Sequence, residues 1–402
     1  MTAPNKDSYV RSDDGNVFTL SAGPSGASWS TRAALSRPVL YHYDPEFLDL
    51  YQRAVERLQQ AFGTSTAPVV LQGEAVLGLE ASAASLIGPD DVVLNLVSGV
   101  FGKGFGYWAR RYAKAVIELE VPYNTSITAD QVRQALQDRP DVSVVCVVHC
   151  ETPSGTINDL FTIGPVVHEH GAQLLVDAVS SFAGECCDFE AWRADIVVVG
   201  PQKCLGGPPG LSLLHVSDAA WRHMESNPNA PRASILSILD WRDAHLVDVH
   251  FPFTPSVSEI NALDEVLRQF LDEGPEQVHR RHRAAARASR AGAQALGLEL
   301  WASDVSICSD SVTALKVPDG LDEFEIRDRA RRQSGVMLSG GQGELSGKVL
   351  RIGHMGPAAF PMGPVLSISA LGRSLRSLGF PADVGGAVEA ALASLDGDNS
   401  SR

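Results

Sequence analysis

Short apolar runs alternate with amphipathic segments between about residues 45 and 215. Apolar residues recur at helical spacing in 45–62, and 74–87 is a second predicted helix that Gly88 and Pro89 end. Strand-sized apolar runs lie at 69–71, 92–97, 142–148, 173–178 and 195–200. Continuous apolar strands that alternate with helices predict a parallel sheet with both faces covered.

The pattern changes near residue 266. A long helix-like stretch, 264–296, leads into shorter strands near 312–317 and 349–352. We therefore predict an N-terminal arm at 1–25 and a large α/β domain at 26–265. A smaller C-terminal α+β domain is predicted at 266–402.

Charge and composition exclude several functions. Asp and Glu total 48 against 33 Lys and Arg, so the net charge of −15 disfavours a nucleic-acid surface. No apolar run approaches the roughly 20 residues of a membrane helix, and the polar N-terminus predicts a cytoplasmic protein. The six cysteines form no C-x-x-C pair and are predicted as free thiols. No cysteine or acidic set completes a site with His168/His170 or His279/His282, so we predict no metal.

Two residues with complementary chemistry follow neighbouring predicted strands. Asp177 ends the run LLVD, and Lys203 follows IVVVG in the Gly/Pro-rich turn GPQKCLGGPPG. Ligands of an open parallel sheet lie beyond the carboxyl ends of its strands, where both residues fall. Such a lysine can condense with the aldehyde of pyridoxal and later move a proton, while the carboxylate keeps the ring nitrogen protonated. The pair alone also fits an ordinary surface lysine and a strand-end aspartate, but the irregular turn favours the functional interpretation.

Longer strings cover most of the chain. They are LSAGPS, LYHYDPEF, LQGEAVLGLEA, LNLVSGVFGKGFGYWA, ETPSGTIN, VDAVSSFAG, GPQKCLG, FPFTPSVSEINALD and RIGHMGP. In combination they resemble class V aminotransferases of the alanine–glyoxylate type, which have the fold-type I architecture. Within that family the chain most resembles the pyridoxamine–pyruvate branch, which uses unphosphorylated vitamin B6 as a substrate.

The resemblance assigns roles around the B6 ring. It implies that Lys203 forms the Schiff base and that Asp177 pairs with the ring nitrogen. Val179 would contact one face of the ring and Phe101 the other, and the Thr152 hydroxyl would bind the phenolic oxygen. Phe101 stands where the pyridoxamine–pyruvate branch has a tyrosine.

The resemblance also assigns residues beyond the ring. Arg351 would hold the carboxylate of the amino or keto acid, since its planar fork pairs with both oxygens. Gln342 stands where the pyridoxamine–pyruvate branch has a second arginine. Many alanine–glyoxylate relatives also have a glutamine at this position. The predicted B6-binding set is completed by Gly73, Glu74, Ala75, Gln202 and Thr254.

Glu74 bears on whether the B6 compound carries a phosphate. In phosphate-binding enzymes of this class, the free N–H groups of a helix N-terminus at this place cradle the phosphate. A carboxylate there satisfies the N–H groups and repels a phosphate dianion by several kcal/mol at an effective dielectric near 20. We therefore predict that pyridoxal or pyridoxamine binds as an exchangeable substrate. The alternative is that Glu74 is an ordinary acidic first-turn residue.

Three functions follow from these residues. The first is transfer of the amino group of pyridoxamine to pyruvate, which gives pyridoxal and L-alanine in vitamin B6 degradation. The second, which Gln342 favours, is a pyridoxal-phosphate-dependent aminotransferase that transfers the amino group of alanine, serine or ureidoglycine to glyoxylate. The third is a non-catalytic B6 sensor, which the presence of Arg351 disfavours. The segment FPFTPSVSEINAL resembles a region that reaches a neighbouring subunit, so a homodimer or homotetramer is expected.

Overall fold

The computed structural model describes residues 18–246 and 250–399. Most of the predicted N-terminal arm, residues 1–17, therefore lies outside the described residues. The α-helices are α1 (Trp29–Leu35), α2 (Pro45–Phe62), α3 (Ala75–Leu86), α4 (Val100–Tyr112), α5 (Ala129–Asp138), α6 (Leu160–His170), α7 (Asp218–Ser226), α8 (Val257–Glu273), α9 (Pro275–Ala295), α10 (Glu323–Ser334), α11 (Met362–Ser377) and α12 (Val384–Asn399). The strands are β1 (Phe18–Thr19), β2 (Val69–Gln72), β3 (Val92–Val97), β4 (Ala115–Glu120), β5 (Val142–Val148), β6 (Cys150–Glu151), β7 (Thr156–Ile157), β8 (Gln173–Asp177), β9 (Ile196–Val199), β10 (Leu211–Val216), β11 (Val312–Lys316), β12 (Val336–Met337), β13 (Ser339–Gly340) and β14 (Val349–Gly353).

A seven-stranded sheet of order β2-β10-β9-β8-β5-β3-β4 forms the centre of the fold. The neighbours from β9 to β4 pair in parallel, and β10 is antiparallel to both β9 and β2. Every residue of β3 and of β9 is buried, as strands covered on both faces require. The prediction of a mainly parallel α/β sheet is confirmed.

The predicted single helical stretch at 264–296 is wrong. Two helices occupy this region, α8 and α9, and they meet at Gly274. The φ of Gly274 is +89°, which a helix does not allow, and Pro275 then begins α9 without needing an N–H partner. Apolar periodicity continues across the break because both helices bury a face, so the pattern alone does not reveal the turn.

Two hydrophobic cores divide the structure. The first surrounds the seven-stranded sheet, and the second packs α9 to α12 against the sheet of order β11-β14-β13. The predicted boundary at 265–266 falls inside α8, whose Val266 and Phe270 belong to the first core. Helix α9 contacts both cores, through Val278 and through Ala293. We propose that the two domains meet along α9.

Leu20, near the start of the described chain, also belongs to the second core. Strand β1 pairs in parallel with β12, and the carbonyl of Leu20 then accepts a hydrogen bond of 2.8 Å from the amide of Gly353. The segment that follows Leu20 contacts the turn after β9, where the amide of Ser25 donates a hydrogen bond of 2.8 Å to the carbonyl oxygen of Gln202.

The arginine cluster of α9 is paired rather than free. Its ion pairs are Arg280–Glu276, Arg281–Glu273 and Arg283–Asp310. Such pairing is typical of a solvated helix face rather than of a polyanion-binding patch. Within the described chain, no helix combines the length and apolar character needed to cross a bilayer.

Candidate active site

A cavity with about 600 Å³ of empty space opens beside the carboxyl ends of the parallel strands. Its lining residues are Glu74, Ala75, Val76, Leu79, Phe101, Gly104, Phe105, Trp108, Cys150, Asp177, Val179, Ser180 and Lys203. Asp177 ends β8 and Lys203 follows β9, and because these strands are parallel neighbours both side chains reach one cavity.

Lys203 is half-buried beneath the N-terminal segment. Its Nζ donates a hydrogen bond of 3.1 Å to the carbonyl oxygen of Ala22. Gly23 packs so closely that a Cβ there would lie 2.5 Å from this Nζ, and its φ is +97°. Burial lowers the pKa of Lys203, the nearby Arg351 lowers it further, and Asp177 opposes both effects. The amine therefore loses its proton more readily than an exposed lysine, as a nucleophile requires.

Asp177 is a buried carboxyl group whose proton affinity is set by its surroundings. Its Oδ1 accepts a hydrogen bond of 2.9 Å from the amide of Val179. Burial raises the pKa of Asp177 to about 6, while that amide bond and Lys203 lower it and Glu74 raises it. A cationic ring nitrogen would compensate the buried charge of this group.

Glu74 closes the N-terminus of α3 with its own carboxylate. Oε2 accepts the amide of Val76 at 2.9 Å, and Oε1 accepts Nε2 of Gln202 at 2.5 Å. The hydroxyl of Ser212 holds the preceding turn by donating to the carbonyl oxygens of Gly73 and Glu74, at 2.9 Å and 3.0 Å. The helix terminus that could receive a phosphate therefore carries a protein carboxylate at the edge of the cavity.

A second carboxylate, at Glu151 on β6, closes the N-terminus of α4. It accepts hydrogen bonds from the amides of Phe101 at 3.0 Å and Gly102 at 2.6 Å. Burial raises the pKa of Glu151 to about 7, and the two amide bonds oppose that shift. Sequence reasoning missed this residue, because nothing in the string ETPSG indicates that a distant helix needs its side chain.

Arg351 lies on β14 and is buried. Its Nε donates to the carbonyl oxygen of Gly340 at 2.6 Å, and Nη1 donates to that of Thr152 at 3.1 Å. Burial lowers the pKa of Arg351 to about 10, and Arg327 acts in the same direction while Glu323 opposes it. Among the described residues Arg351 forms no ion pair, so its charge is available to an anionic ligand.

Two buried polar atoms near the site lack a partner among the described residues. They are Oγ1 of Thr152 and Oε1 of Gln202. A buried hydroxyl without a partner is costly unless a ligand or water completes it. Together with Asp177 and Lys203, these atoms fit a polar aromatic aldehyde or amine such as a B6 vitamer.

Six predicted site residues are not among those that line the cavity: Gly73, Thr152, Gln202, Arg351, Gln342 and Thr254. Gln342 is exposed in the loop after β13, and Thr254 is exposed before α8. The carbonyl oxygen of Thr254 accepts a hydrogen bond of 2.7 Å from Nε2 of Gln72. Neither residue lines the cavity, so their roles stay predictions.

One histidine considered for metal binding lies in a polar cluster away from the cavity. His279, Glu185 and Asp310 place potential ligand atoms within 4.8 Å of one another. Asp310 is already paired with His279 and with Arg283 and Arg290, and Glu185 accepts the amide of Asp310 at 2.6 Å. These contacts account for the cluster as an ion-pair network at the junction of the two cores.

The buried charge of Asp177 predicts a pH-dependent effect on stability. Its pKa is about 6 in the folded chain against an ordinary value of 3.8, so folding favours the protonated form. That stabilisation is full below pH 3.8 and is lost as the pH rises through 6, a total of about 3 kcal/mol. We compare the free energy of unfolding of Asp177→Asn with that of the wild type at each pH. The variant minus wild-type difference should be about 1.4 kcal/mol larger at pH 8 than at pH 5. Urea unfolding of the B6-free proteins measures this, and equal differences at both pH values would contradict it.

Comparison with known proteins places this geometry in a family. The sequence model of the class V aminotransferases matches residues 79–353. A pyridoxamine–pyruvate transaminase of Mesorhizobium japonicum is 53% identical over 382 residues, which cover 95% of this chain and 97% of that protein.

Solved structures agree with this assignment. The crystal structure of pyridoxamine–pyruvate aminotransferase from Mesorhizobium loti has a TM-score of 0.94 at 53% identity, with 95% of this chain and 97% of that chain covered. Ureidoglycine–glyoxylate aminotransferase from Bacillus subtilis has a TM-score of 0.89 at 28% identity, with 94% and 98% covered. The resemblance stated from the sequence is confirmed: the chain belongs to the class V aminotransferases and has their fold-type I architecture.

Proposed function

We propose that this aminotransferase moves the amino group of pyridoxamine to pyruvate and so produces pyridoxal and L-alanine. The observation that carries the proposal is the carboxylate of Glu74 at the N-terminus of α3, held by Gln202. A relative that is 53% identical and named for this reaction supports it. Degradation of vitamin B6 is the process that such a reaction would serve.

Each polar residue of the cavity has a task in this proposal. The B6 vitamer supplies an aldehyde or amine on a ring that accepts electrons. Lys203, with its lowered pKa, is the amine that would condense with the aldehyde of pyridoxal, with release of water, and the base that would carry a proton between the two carbons that exchange the amino group. Asp177 keeps the ring nitrogen protonated, and Thr152 donates its unpaired hydroxyl to the phenolic oxygen. Arg351 holds the carboxylate of pyruvate or alanine.

The absence of a phosphate anchor makes the vitamer exchangeable. A phosphate at a helix N-terminus would gain several charge-assisted hydrogen bonds, which slow its release. Glu74 takes the amide of Val76 for itself and adds negative charge at the same place. Pyridoxal can therefore leave after each cycle, as a product must.

A spectral titration tests the proposed function. The purified protein should gain visible absorbance when Lys203 captures added pyridoxal, and pyridoxal phosphate should produce the change only at much higher concentration. Lys203→Ala should abolish it, because Lys203 is the one amine among the described residues that line the cavity. Pyridoxamine with pyruvate should then yield alanine in the wild type alone. Tight co-purification of the phosphate ester, or its preferred binding, would reject the proposal.

Glu74 sets the preference between the two vitamers. In Glu74→Ser a hydroxyl replaces the carboxylate and the repulsion is removed, so the ratio of Kd for pyridoxal phosphate to Kd for pyridoxal should fall at least about tenfold, or about 1.4 kcal/mol. Glu80→Gln is the matched control, because Glu80 lies on the same helix away from its N-terminus. An unchanged ratio in Glu74→Ser would show that Glu74 is only a helix cap.

A second function is favoured by one residue. Because Gln342 replaces a second arginine, Arg351 is the one buried arginine predicted to bind the carboxylate of the keto acid. A structural relative is named for ureidoglycine and glyoxylate. A pyridoxal-phosphate-dependent aminotransferase that uses glyoxylate would retain the phosphate ester through purification, so the titration distinguishes the two functions. A B6 sensor would bind either vitamer and form no alanine.

We also propose that the functional unit is a homodimer or a larger even assembly. Thr254 lies outside the cavity of its own chain, and Trp29, Val39 and Tyr41 are 76%, 76% and 66% exposed. Exposed apolar side chains in one segment mark an interaction surface. Cytoplasmic location stays a prediction from the sequence.

Assembly can be measured directly. Sedimentation of the wild type should give at least two copies, and Trp29→Glu should shift the equilibrium towards the monomer, because a charge would be buried in the interface. Phe324→Glu is the control, since Phe324 is 64% exposed on α10 in the C-terminal part. A monomeric wild type, or equal effects of the two variants, would contradict the proposal.

A further inference from the structure

Helix α4 begins at the cavity but has no cap of its own. Gly99 precedes it and has no side chain to bond the free N–H groups. The carboxylate of Glu151 supplies the cap from β6, 50 residues away in sequence from the Phe101 amide it accepts. Such a long-range cap fixes where the helix starts relative to the sheet, which an adjacent residue could not do.

Both ends of this contact are tightly held. Glu151 is fully buried, and its carbonyl oxygen accepts the amides of Ser154 at 3.2 Å and Gly155 at 2.8 Å. A Cβ at Gly99 would lie 2.5 Å from Cδ of Glu151, so the helix start and the carboxyl group are in direct contact. The carboxyl group therefore has little freedom to move relative to either β6 or α4.

The residue placed by this contact is Phe101. Its amide is one of the two that Glu151 accepts, and its ring lines the cavity with Lys203 and Asp177. Thr152, the next residue after Glu151, carries the unpaired hydroxyl. The short strand β6 thus positions two residues that would contact the B6 ring. The Glu151 carboxylate places Phe101 at one face of that ring, and Thr152, which follows the strand, carries the hydroxyl for its edge.

We propose that Glu151 is a positioning residue that holds Phe101 against the B6 ring through the N-terminus of α4. This inference rests on the proposed function, because it concerns how the vitamer is oriented there. Glu151 does not touch the vitamer; its effect reaches the ring only through the backbone of residues 101 and 102. Phe101 has no phenol that could hydrogen-bond nearby groups, so its placement depends on the backbone at the start of α4 and on apolar packing against the first core.

The test is a double-mutant cycle with steady-state kinetics in pyridoxamine and pyruvate. Glu151→Gln keeps the shape but turns one acceptor into an NH₂ group that faces an amide donor. We expect the KM for pyridoxamine to rise about tenfold, with the KM for pyruvate within about twofold of wild type. Phe101→Leu should raise the KM for pyridoxamine similarly, and the double variant should be no worse than Phe101→Leu.

The control is Asp159→Asn. Asp159 caps α6 by accepting the amide of Phe161 at 3.1 Å, and neither residue lines the cavity. This variant should lower stability without altering either KM, which separates a general loss of a helix cap from a loss of positioning. The inference would be overturned if the rise in the KM for pyridoxamine in the double variant equalled the product of the two single rises. An equal rise of the KM for pyridoxamine and the KM for pyruvate in Glu151→Gln would also overturn it.

Two further observations keep the outcomes distinct. If Glu151→Gln does not fold, a crystal structure of the wild type with pyridoxal decides: the Phe101 ring must contact the pyridine ring while both amide bonds to Glu151 persist. A Phe101 ring turned away from the vitamer would overturn the inference. If the wild type forms no alanine from pyridoxamine and pyruvate, the proposed function fails, whereas an active wild type with an unaffected Glu151→Gln rejects only the role of Glu151.

Discussion

The structure depends on burying opposite charges at the edge of a parallel sheet. Lys203 and Asp177 lie in one cavity because they follow the parallel neighbours β9 and β8. Burial disfavours both charges, so it lowers the pKa of the amine and raises the pKa of the carboxyl group. In the proposed function a vitamer compensates both effects, because it bonds the amine and offers a positive ring nitrogen to the carboxylate.

Two helices bring their N-termini to this cavity, and each meets a carboxylate. Glu74 directly precedes α3 in the sequence, whereas Glu151 contacts the start of α4 from a separate strand. Helix N-termini attract anions, and these carboxylates satisfy that attraction internally. In the proposed function Arg351 binds the carboxylate of the keto acid, and the end of the site near Glu74 receives the neutral hydroxymethyl group of the vitamer.

The sequence predicted those parts of the site that local patterns encode. Strands ending at Asp177 and before Lys203 are visible as apolar runs, and the helix N-terminus at Glu74 follows from the turn before it. Glu151 could not be predicted, because its partners are amides of a helix whose position only the folded sheet defines. The break at Gly274 was missed for the opposite reason, since an uninterrupted apolar stripe hides a single turn. Gln342 and Thr254 show a further limit: a motif specifies a residue type but not whether that residue lines the cavity of its own chain.

The carbonyl of Ala22 has a consequence for how the two halves of the molecule communicate. It bonds the Lys203 amine, while Leu20, two residues earlier, is anchored in the C-terminal core. In the proposed function the amine that condenses with a vitamer keeps at most one N–H, so its bond to Ala22 competes with bonds to the ligand. Occupancy of the cavity would thereby change a contact of the segment that Leu20 anchors in the second core.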